Sequence, residues 1–125
     1  MSVAAAMRFL LNVYADPAAT AARPEPERDA ARDHADFVAA ARASGELIDA
    51  QVLADPSAGV LVRVRDGEPT VADGPYLDSP VQLTACYLVD CEDRDRAVGL
   101  AATIRAAGYD AVEVRPVMLA AGMEM

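Results

Sequence analysis

The sequence predicts an α+β domain in which two helices pack on one face of an antiparallel sheet. Three observations support this prediction: a length that suits one domain, several short β-rich segments, and two stretches with apolar residues at helical spacing. The chain has 125 residues and is 54% hydrophobic, so it can bury one core without disulfides or metals. With no Trp and few aromatic residues, that core must consist mainly of Val, Leu, Ile and Ala.

The chain opens with a predicted strand and a predicted helix. Residues 7–14 alternate between two faces, as a half-buried strand does. Asp16 and Pro17 end this strand, and a loop rich in Ala, Pro and Glu follows. Apolar residues then recur at helical spacing over 30–41, and Gly45 is expected to end that helix in a left-handed conformation.

Two β-rich segments follow the first helix. Residues 47–53 and 60–65 are predicted as strands, because each either alternates or is rich in aliphatic residues. Asp66-Gly67 is a strong hairpin signal, since Asp and Gly tolerate the positive φ angles of a tight turn. Residues 69–72 are therefore expected to form the short far arm of this hairpin.

The last third of the chain predicts a strand, a helix and a final strand. Residues 83–90 alternate between two faces. The acidic residues Glu92, Asp93 and Asp95 suit a helix start, where carboxylates complement the helix dipole. An apolar stripe over 97–104 belongs to this helix, Gly108 closes it, and residues 111–117 form the last strand.

The resulting order, β-α-β-β-(β)-α-β, matches a ferredoxin-like plan with both helices on one sheet face. The other face must then meet solvent, a ligand or another subunit. By alternation, that face carries Leu10, Asn12, Tyr14, Leu61, Arg63, Arg65, Thr84, Cys86, Leu88, Glu113 and Arg115. Such a mixture of apolar and charged side chains favours a twofold homodimer that encloses a polar-lined cavity, as in dimeric α/β barrels. A solvated face is the alternative.

Charge and composition exclude several classes of function. The net charge is −9, and a chain this acidic repels nucleic acid and anionic membrane surfaces. No cationic leader and no apolar run of roughly 20 residues is present, so we expect a cytoplasmic protein without a membrane span. Cys86, Cys91 and the single histidine, His34, have no metal-ligand spacing, and we expect neither a metal nor a cofactor.

Several separated motifs occur in an order found in a known family. They are 62–67 (Val-Arg-Val-Arg-Asp-Gly), 71–76 (Val-Ala-Asp-Gly-Pro-Tyr), 82–83 (Gln-Leu), 87–89 (Tyr-Leu-Val) and 112–118 (Val-Glu-Val-Arg-Pro-Val-Met). In these motifs the chain resembles the DGPF branch of the YCII-related family. The resemblance covers a domain at 7–118, with 1–6 and 119–125 as terminal tails.

The resemblance implies a ferredoxin-like fold, dimerisation into an α/β barrel, and an active site with a His/Asp pair. A distant relative in the superfamily looks like a dehydrochlorinating lyase for a chlorinated hydroxyhydroquinone, although shared fold does not transfer that substrate. The chain departs from the family pattern at Tyr76, where Phe is usual, and at Thr84 and Ala85, where paired glycines are usual. Since Gly allows a ligand or another backbone to approach closely, Thr84 and Ala85 leave less space beside this strand than the paired glycines would.

His34 and Asp73 are the candidate catalytic residues. His34 lies on the apolar stripe of the first helix with Phe37, where an imidazole acts as a general base if a substrate comes within hydrogen-bond reach. The alternative is a core histidine satisfied by one polar partner. Asp73 opens the Asp-Gly-Pro turn, where its carboxylate either orients the histidine, takes a proton itself, or bonds the backbone of its own turn.

Four further residues are candidate substrate-binding groups. Tyr14 and Tyr76 offer hydroxyl donors, while Arg63 and Arg115 can hold a carboxylate or phenolate; Arg115 also has a structural alternative as a cross-strand ion pair. His34 is expected on the helix-covered face, whereas three of these residues are expected on the open face. A site at the edge of the sheet would gather His34, Asp73 and Tyr76.

These residues predict an enzyme of the acid/base type, a lyase or isomerase acting on a small polar or aromatic metabolite, with His34 as the proton shuttle. The alternative is a non-catalytic homodimer that binds a small molecule or a regulatory partner. A purely structural subunit is a third interpretation.

Overall fold

A computed structural model describes residues 7–22, 30–104 and 109–118. Its elements are β1 (Met7–Ala15), α1 (Pro17–Ala21), α2 (Ala30–Ala43), β2 (Leu47–Val52), a 3-10 turn (Pro56–Ala58), β3 (Val60–Arg65), β4 (Glu68–Asp73), β5 (Gln82–Cys91), α3 (Arg94–Ala102) and β6 (Tyr109–Pro116). The predicted terminal tails, the proline-containing loop before α2, and the predicted helix end at Gly108 lie outside the described residues.

Four strands form one antiparallel sheet in the order β2-β5-β1-β6. The described residues therefore form an α+β domain with antiparallel sheets and three helices, consistent with a ferredoxin-like fold. Alternate residues of the central strands, together with one face each of α2 and α3, form the core, as the periodicity predicts. The core residues are Phe9, Leu11, Val13, Phe37, Ala41, Ala85, Tyr87, Val89, Cys91, Ala97, Leu100, Ala101 and Ile104.

Local signals explain most element ends. Gly45 has φ +77° after α2, as the sequence predicts. The Asp93 carboxylate caps α3 by accepting the Arg96 backbone N–H at 2.8 Å. The short helix α1 was not predicted: Asp16, expected only to end the strand, also accepts the N–H groups of Ala18 and Ala19. Pro17 occupies the first turn of α1, where its missing N–H costs nothing.

An ion pair joins the start of β2 to the start of α3. The Arg96 guanidinium donates from Nε and Nη2 to the two Glu46 carboxylate oxygens, at 2.9 and 2.6 Å. This bidentate contact is chiefly what holds the pKa of Glu46 below its ordinary value, and the same contact raises the pKa of Arg96.

Strands β3 and β4 do not join the four-stranded sheet. They pair only with each other in a two-stranded sheet, closed by a turn with φ +51° at Asp66 and +78° at Gly67. The hairpin itself is as predicted. Placing Leu61, Arg63 and Arg65 on the open face of the main sheet was wrong, because β5 occupies the place beside β2 and the 3-10 turn carries β3 away from it.

The helix-free face of the main sheet, called the open face below, still carries seven of the predicted side chains, those of Leu10, Asn12, Tyr14, Cys86, Leu88, Glu113 and Arg115. The odd-numbered residues of β1 are in the core, so Leu10 and Asn12 lie on the opposite side, and Cys86 and Leu88 of β5 face the same way. The register of β1 with β5 shifts between Val13 and Tyr14, so that Tyr14 lies opposite Leu83. No helix of the described part of the chain is long and apolar enough to cross a membrane.

Candidate functional site

The histidine of α2 is hydrogen-bonded to a buried tyrosine of β5. His34 Nδ1 lies 3.0 Å from the Tyr87 hydroxyl oxygen, and the two rings stack with centroids 5.6 Å apart and planes inclined by 24°. Phe37, one helical turn after His34, packs its ring 4.6 Å from the ring of Tyr87. Because Phe37 and Tyr87 are both core residues, they hold the imidazole in one orientation.

The electrostatics of this pair keep the tyrosine neutral. Burial of Tyr87 is the main reason that its pKa is raised, and the nearby carboxylate of Asp33 adds to the effect. A neutral hydroxyl both donates and accepts, so one contact with Nδ1 suits either neutral tautomer of the imidazole and its cation. His34 is only half-buried, and within the described residues its Nε2 has no protein partner.

Asp73 lies apart from this pair in the hydrogen-bond network. It is the last residue of β4, is exposed, and lies opposite Val60. No hydrogen bond or ion pair joins it to His34 in the ranges that the structure describes. The root of the hairpin lies at the end of the main sheet where β1 and β2 finish and β5 begins, whereas Tyr87, the partner of His34, lies opposite Ala50 in the middle of β2.

A cleft opens at the root of the β3–β4 hairpin. Its volume is about 450 Å³, within the range of small-molecule sites. Gly59 and Gly74 form part of its wall, where the Gly74 N–H donates to the Gly59 carbonyl at 2.8 Å. Most of the surrounding groups are apolar. The lining residues are Leu53, Ala54, Asp55, Pro56, Ala58, Gly59, Val60, Leu61, Gly74, Pro75, Tyr76, Gln82 and Leu83.

Two of the predicted binding residues meet at this cleft. The Arg63 guanidinium carbon lies 5.5 Å from the ring centroid of Tyr76, which is the distance of a cation–π contact. Both side chains are exposed, so Arg63 retains hydrogen-bond donors for an anion. Tyr76, in the turn that follows β4, thus lines the apolar cleft and contacts Arg63.

The other two predicted binding residues lie on the four-stranded sheet. Tyr14 is half-buried and is opposite Leu83, a residue of the cleft wall. Arg115 is exposed and lies opposite Leu10, four residues further back along β1. Of the six predicted site residues, Arg63 contacts Tyr76, Tyr14 lies beside their cleft, and Asp73 ends β4. Arg115 lies elsewhere on the sheet, and His34 is on α2.

Two polar features escaped the sequence analysis. Tyr87 was assigned to the strand but not to the site, because its contact with His34 joins residues that are 53 positions apart. The second feature is a chain of hydrogen bonds on the open face. Cys86 Sγ donates to Asn12 Oδ1 at 2.8 Å, and Asn12 Nδ2 donates to Glu113 Oε1 at 3.1 Å.

Asn12 is only 8% exposed in the single chain, and burial raises the pKa of the Cys86 thiol. A polar residue within an apolar strand was the available signal for this chain of bonds. Across the described ranges, no group of three or more His, Cys, Asp and Glu side chains is arranged to hold a metal ion.

Comparison with known proteins agrees with this α+β architecture. The model of the YCII-related domain matches residues 7–121, and the chain belongs to this family. The resemblance seen in the sequence is thereby confirmed at the level of the YCII-related family. The chain is also 33% identical, over 78 residues, to an uncharacterized protein of Rhizobium meliloti (strain 1021). That similarity covers 61% of this chain and 63% of the relative, which is less than two thirds of its length.

Proposed function

We propose that this YCII-related protein is an enzyme of the acid/base type that moves a proton on a small polar or aromatic molecule, as a lyase or isomerase does. The observation that supports the proposal is the 3.0 Å contact between His34 Nδ1 and the Tyr87 hydroxyl. A general base needs a second group that orients it, and here a core tyrosine does so. Imidazole carries a proton near neutral pH without a cofactor.

The Tyr87 hydroxyl allows His34 to act first as a general base and then as a general acid. When Nδ1 carries the proton and donates to the phenol oxygen, the lone pair of Nε2 is free to take a proton from a substrate carbon or hydroxyl. The resulting imidazolium still donates from Nδ1 to the same oxygen. It then returns the Nε2 proton to another atom of the substrate, which completes an isomerisation or the loss of a leaving group.

The remaining predicted residues have binding roles in this proposal. Arg63 holds a carboxylate or phenolate of the substrate beside the Tyr76 ring, and the apolar cleft takes its carbon skeleton. Tyr14 adds a hydroxyl donor beside this cleft, and Arg115 is a binding group of the open face, on the side of the sheet away from His34. Asp73, the last residue of β4, acts as the carboxylate of the His/Asp pair that the family resemblance implies.

We further propose that the protein is a cytoplasmic homodimer of the DGPF branch, paired through the open face as a dimeric α/β barrel. Leu10 and Leu88 are half-buried on that face, and the Cys86–Asn12–Glu113 chain of bonds crosses it. A buried, hydrogen-bonded Asn12 flanked by aliphatic side chains suits a face that is covered by a second subunit.

Proton exchange with solvent tests the catalytic proposal without knowledge of the full reaction. A panel of 2-oxo acids, hydroxylated benzoates and chlorinated hydroxyhydroquinones is incubated with protein in D₂O, and loss of each C–H signal is followed by ¹H NMR. We expect exchange or conversion with wild type, a loss of at least 100-fold in His34→Gln, and a smaller loss in Tyr87→Phe. A conversion that persists undiminished in His34→Gln would refute the proposed mechanism.

The cleft supports a second candidate, a small-molecule-binding protein without catalysis. Its apolar walls beside one arginine suit an aromatic anion such as benzoate. Thermal unfolding with increasing benzoate distinguishes the two: saturable stabilisation without turnover, lost in both Tyr76→Ala and Arg63→Ala but retained in His34→Gln, supports the binding protein. Absence of any benzoate-dependent shift argues against it.

A further inference from the structure

The β3–β4 hairpin exposes a continuous valine face. Val60, Val62 and Val64 alternate along β3, and Val71 lies directly opposite Val62 on β4. These side chains retain 59%, 63%, 67% and 68% of their full exposure, among the highest values of the large apolar residues that the structure describes. The hairpin also pairs with no other strand of the described sheets. A contiguous exposed apolar patch on a soluble chain marks an interaction surface.

The distribution of apolar and polar residues on this hairpin suits a valine face that is covered by a partner rather than by solvent. Its other side presents Arg63, Arg65 and Glu68, so the hairpin has one polar and one apolar face, as a strand pair that packs on a core does. A two-stranded hairpin alone is marginally stable in water, and three or more strands or a packed face are needed to hold it. Nothing within the described residues covers the valines.

We propose that the valine face, Val60–Val62–Val64–Val71, packs against a second copy of this chain as an arm of the homodimer. The inference rests on the homodimer proposed above and adds a surface that the open face does not include. Two copies of an acidic chain carry net charge of the same sign, so an uncharged surface is where they meet with the least repulsion. The chain has 20 acidic and 11 basic residues, yet this face holds no charge before Asp73 at its root.

The area of the valine face also supports a second copy of this chain as its partner. Two strands of 6 residues present a face of about 20 Å by about 10 Å, or roughly 200 Å². That area is far below the roughly 800 Å² per partner of a stable interface. The open face of the four-stranded sheet adds about 500 Å² by the same geometry. Together they approach the area that a dimer needs, and neither does so alone.

Paired substitutions and sedimentation equilibrium test the arm. The variant Val62→Asp/Val71→Asp places two charges on the valine face, while Val98→Asp is the control, since Val98 is 45% exposed on α3. Leu88→Asp tests the open face separately. We expect at least a tenfold rise in the dimer dissociation constant for the hairpin variant and less than a twofold change for Val98→Asp. Unchanged far-UV circular dichroism and urea midpoints verify that each variant is folded.

The outcomes separate the arm from the homodimer itself. A hairpin variant with the dissociation constant of wild type, beside a Leu88→Asp variant that dissociates, overturns the arm and leaves the homodimer in place. A wild-type chain that stays monomeric up to millimolar concentration overturns both. Hydrogen exchange gives a second measure: amides of 60–73 should exchange more slowly as wild-type concentration rises, and concentration-independent exchange contradicts the arm.

Discussion

Removing the hydroxyl of Tyr87 isolates the hydrogen bond on which the proposed chemistry depends. In Tyr87→Phe the ring remains packed on Phe37, whose centroid is 4.6 Å away, and only the 3.0 Å contact to His34 is lost. The imidazole is half-buried and can turn to water, so we expect a loss of about 0.5–1.5 kcal/mol in unfolding free energy. For 125 residues this lowers the melting temperature by about 2–6 °C.

Removing the imidazole of His34 should lower the unfolding free energy more than removing the Tyr87 hydroxyl. His34→Ala leaves the Tyr87 hydroxyl without its partner at a residue that is only 3% exposed, and an unsatisfied buried hydroxyl costs about 1–3 kcal/mol. The double variant His34→Ala/Tyr87→Phe removes both groups and leaves no orphan. Its loss should be smaller than the sum of the single losses by about 0.5–1.5 kcal/mol, measured by urea unfolding of all four proteins.

Tyr76→Phe is the matched control, because Tyr76 is 71% exposed. Its hydroxyl should contribute less than about 0.5 kcal/mol. If the two site variants add to within about 0.3 kcal/mol, the His34–Tyr87 contact has no energetic coupling and the interpretation of the pair is refuted.

Three further predictions concern the scaffold. Because the pKa of Glu46 is depressed, its contact with Arg96 stabilises the fold at pH values above the ordinary carboxyl pKa. This stabilisation is lost as pH falls through the depressed pKa. The urea midpoints of wild type and Glu46→Gln should therefore differ at pH 7 and converge in acid. Gly67→Ala, at φ +78°, should lower the local opening free energy of hairpin amides in hydrogen exchange by about 1 kcal/mol while global unfolding stays unchanged. Asp93→Ala removes the cap of α3 and should cost about 1 kcal/mol by urea unfolding, against about 0.3–0.5 kcal/mol for Asp95→Ala, which removes only a first-turn charge.

The periodic signals of the sequence predict the fold well because they are local. Alternation places Phe9 and Leu11 in the core, helical spacing places Phe37 there, and Asp66-Gly67 closes its hairpin at positive φ. The sheet to which that hairpin belongs is a non-local property. Arg63 and Arg65 show the same alternation whether β3 joins the main sheet or pairs only with β4. The pairing of β5 with β2 is what keeps β3 out of the main sheet.

The site is predictable only in its parts. His34 was identified by its residue type and position, but its partner Tyr87 lies on another element, and the alternation of β5 gives no sign of which core residue the imidazole meets. Arg63 and Tyr76 were chosen separately, and their contact depends on how the turn after β4 folds back. The pairing of His34 with Asp73 stays a prediction.

The way the hairpin is attached has a consequence for how such a chain can vary. At its root the Gly74 N–H bonds to the Gly59 carbonyl, and a Cβ on Gly59 would lie 3.2 Å from the Pro56 carbonyl oxygen, so the root is tightly constrained. Beyond that point no strand of the main sheet depends on residues 60–73. Insertions, deletions or grafted loops there should leave the core intact and change what the protein assembles with and what its cleft binds, which makes the hairpin a replaceable module on an unchanged body.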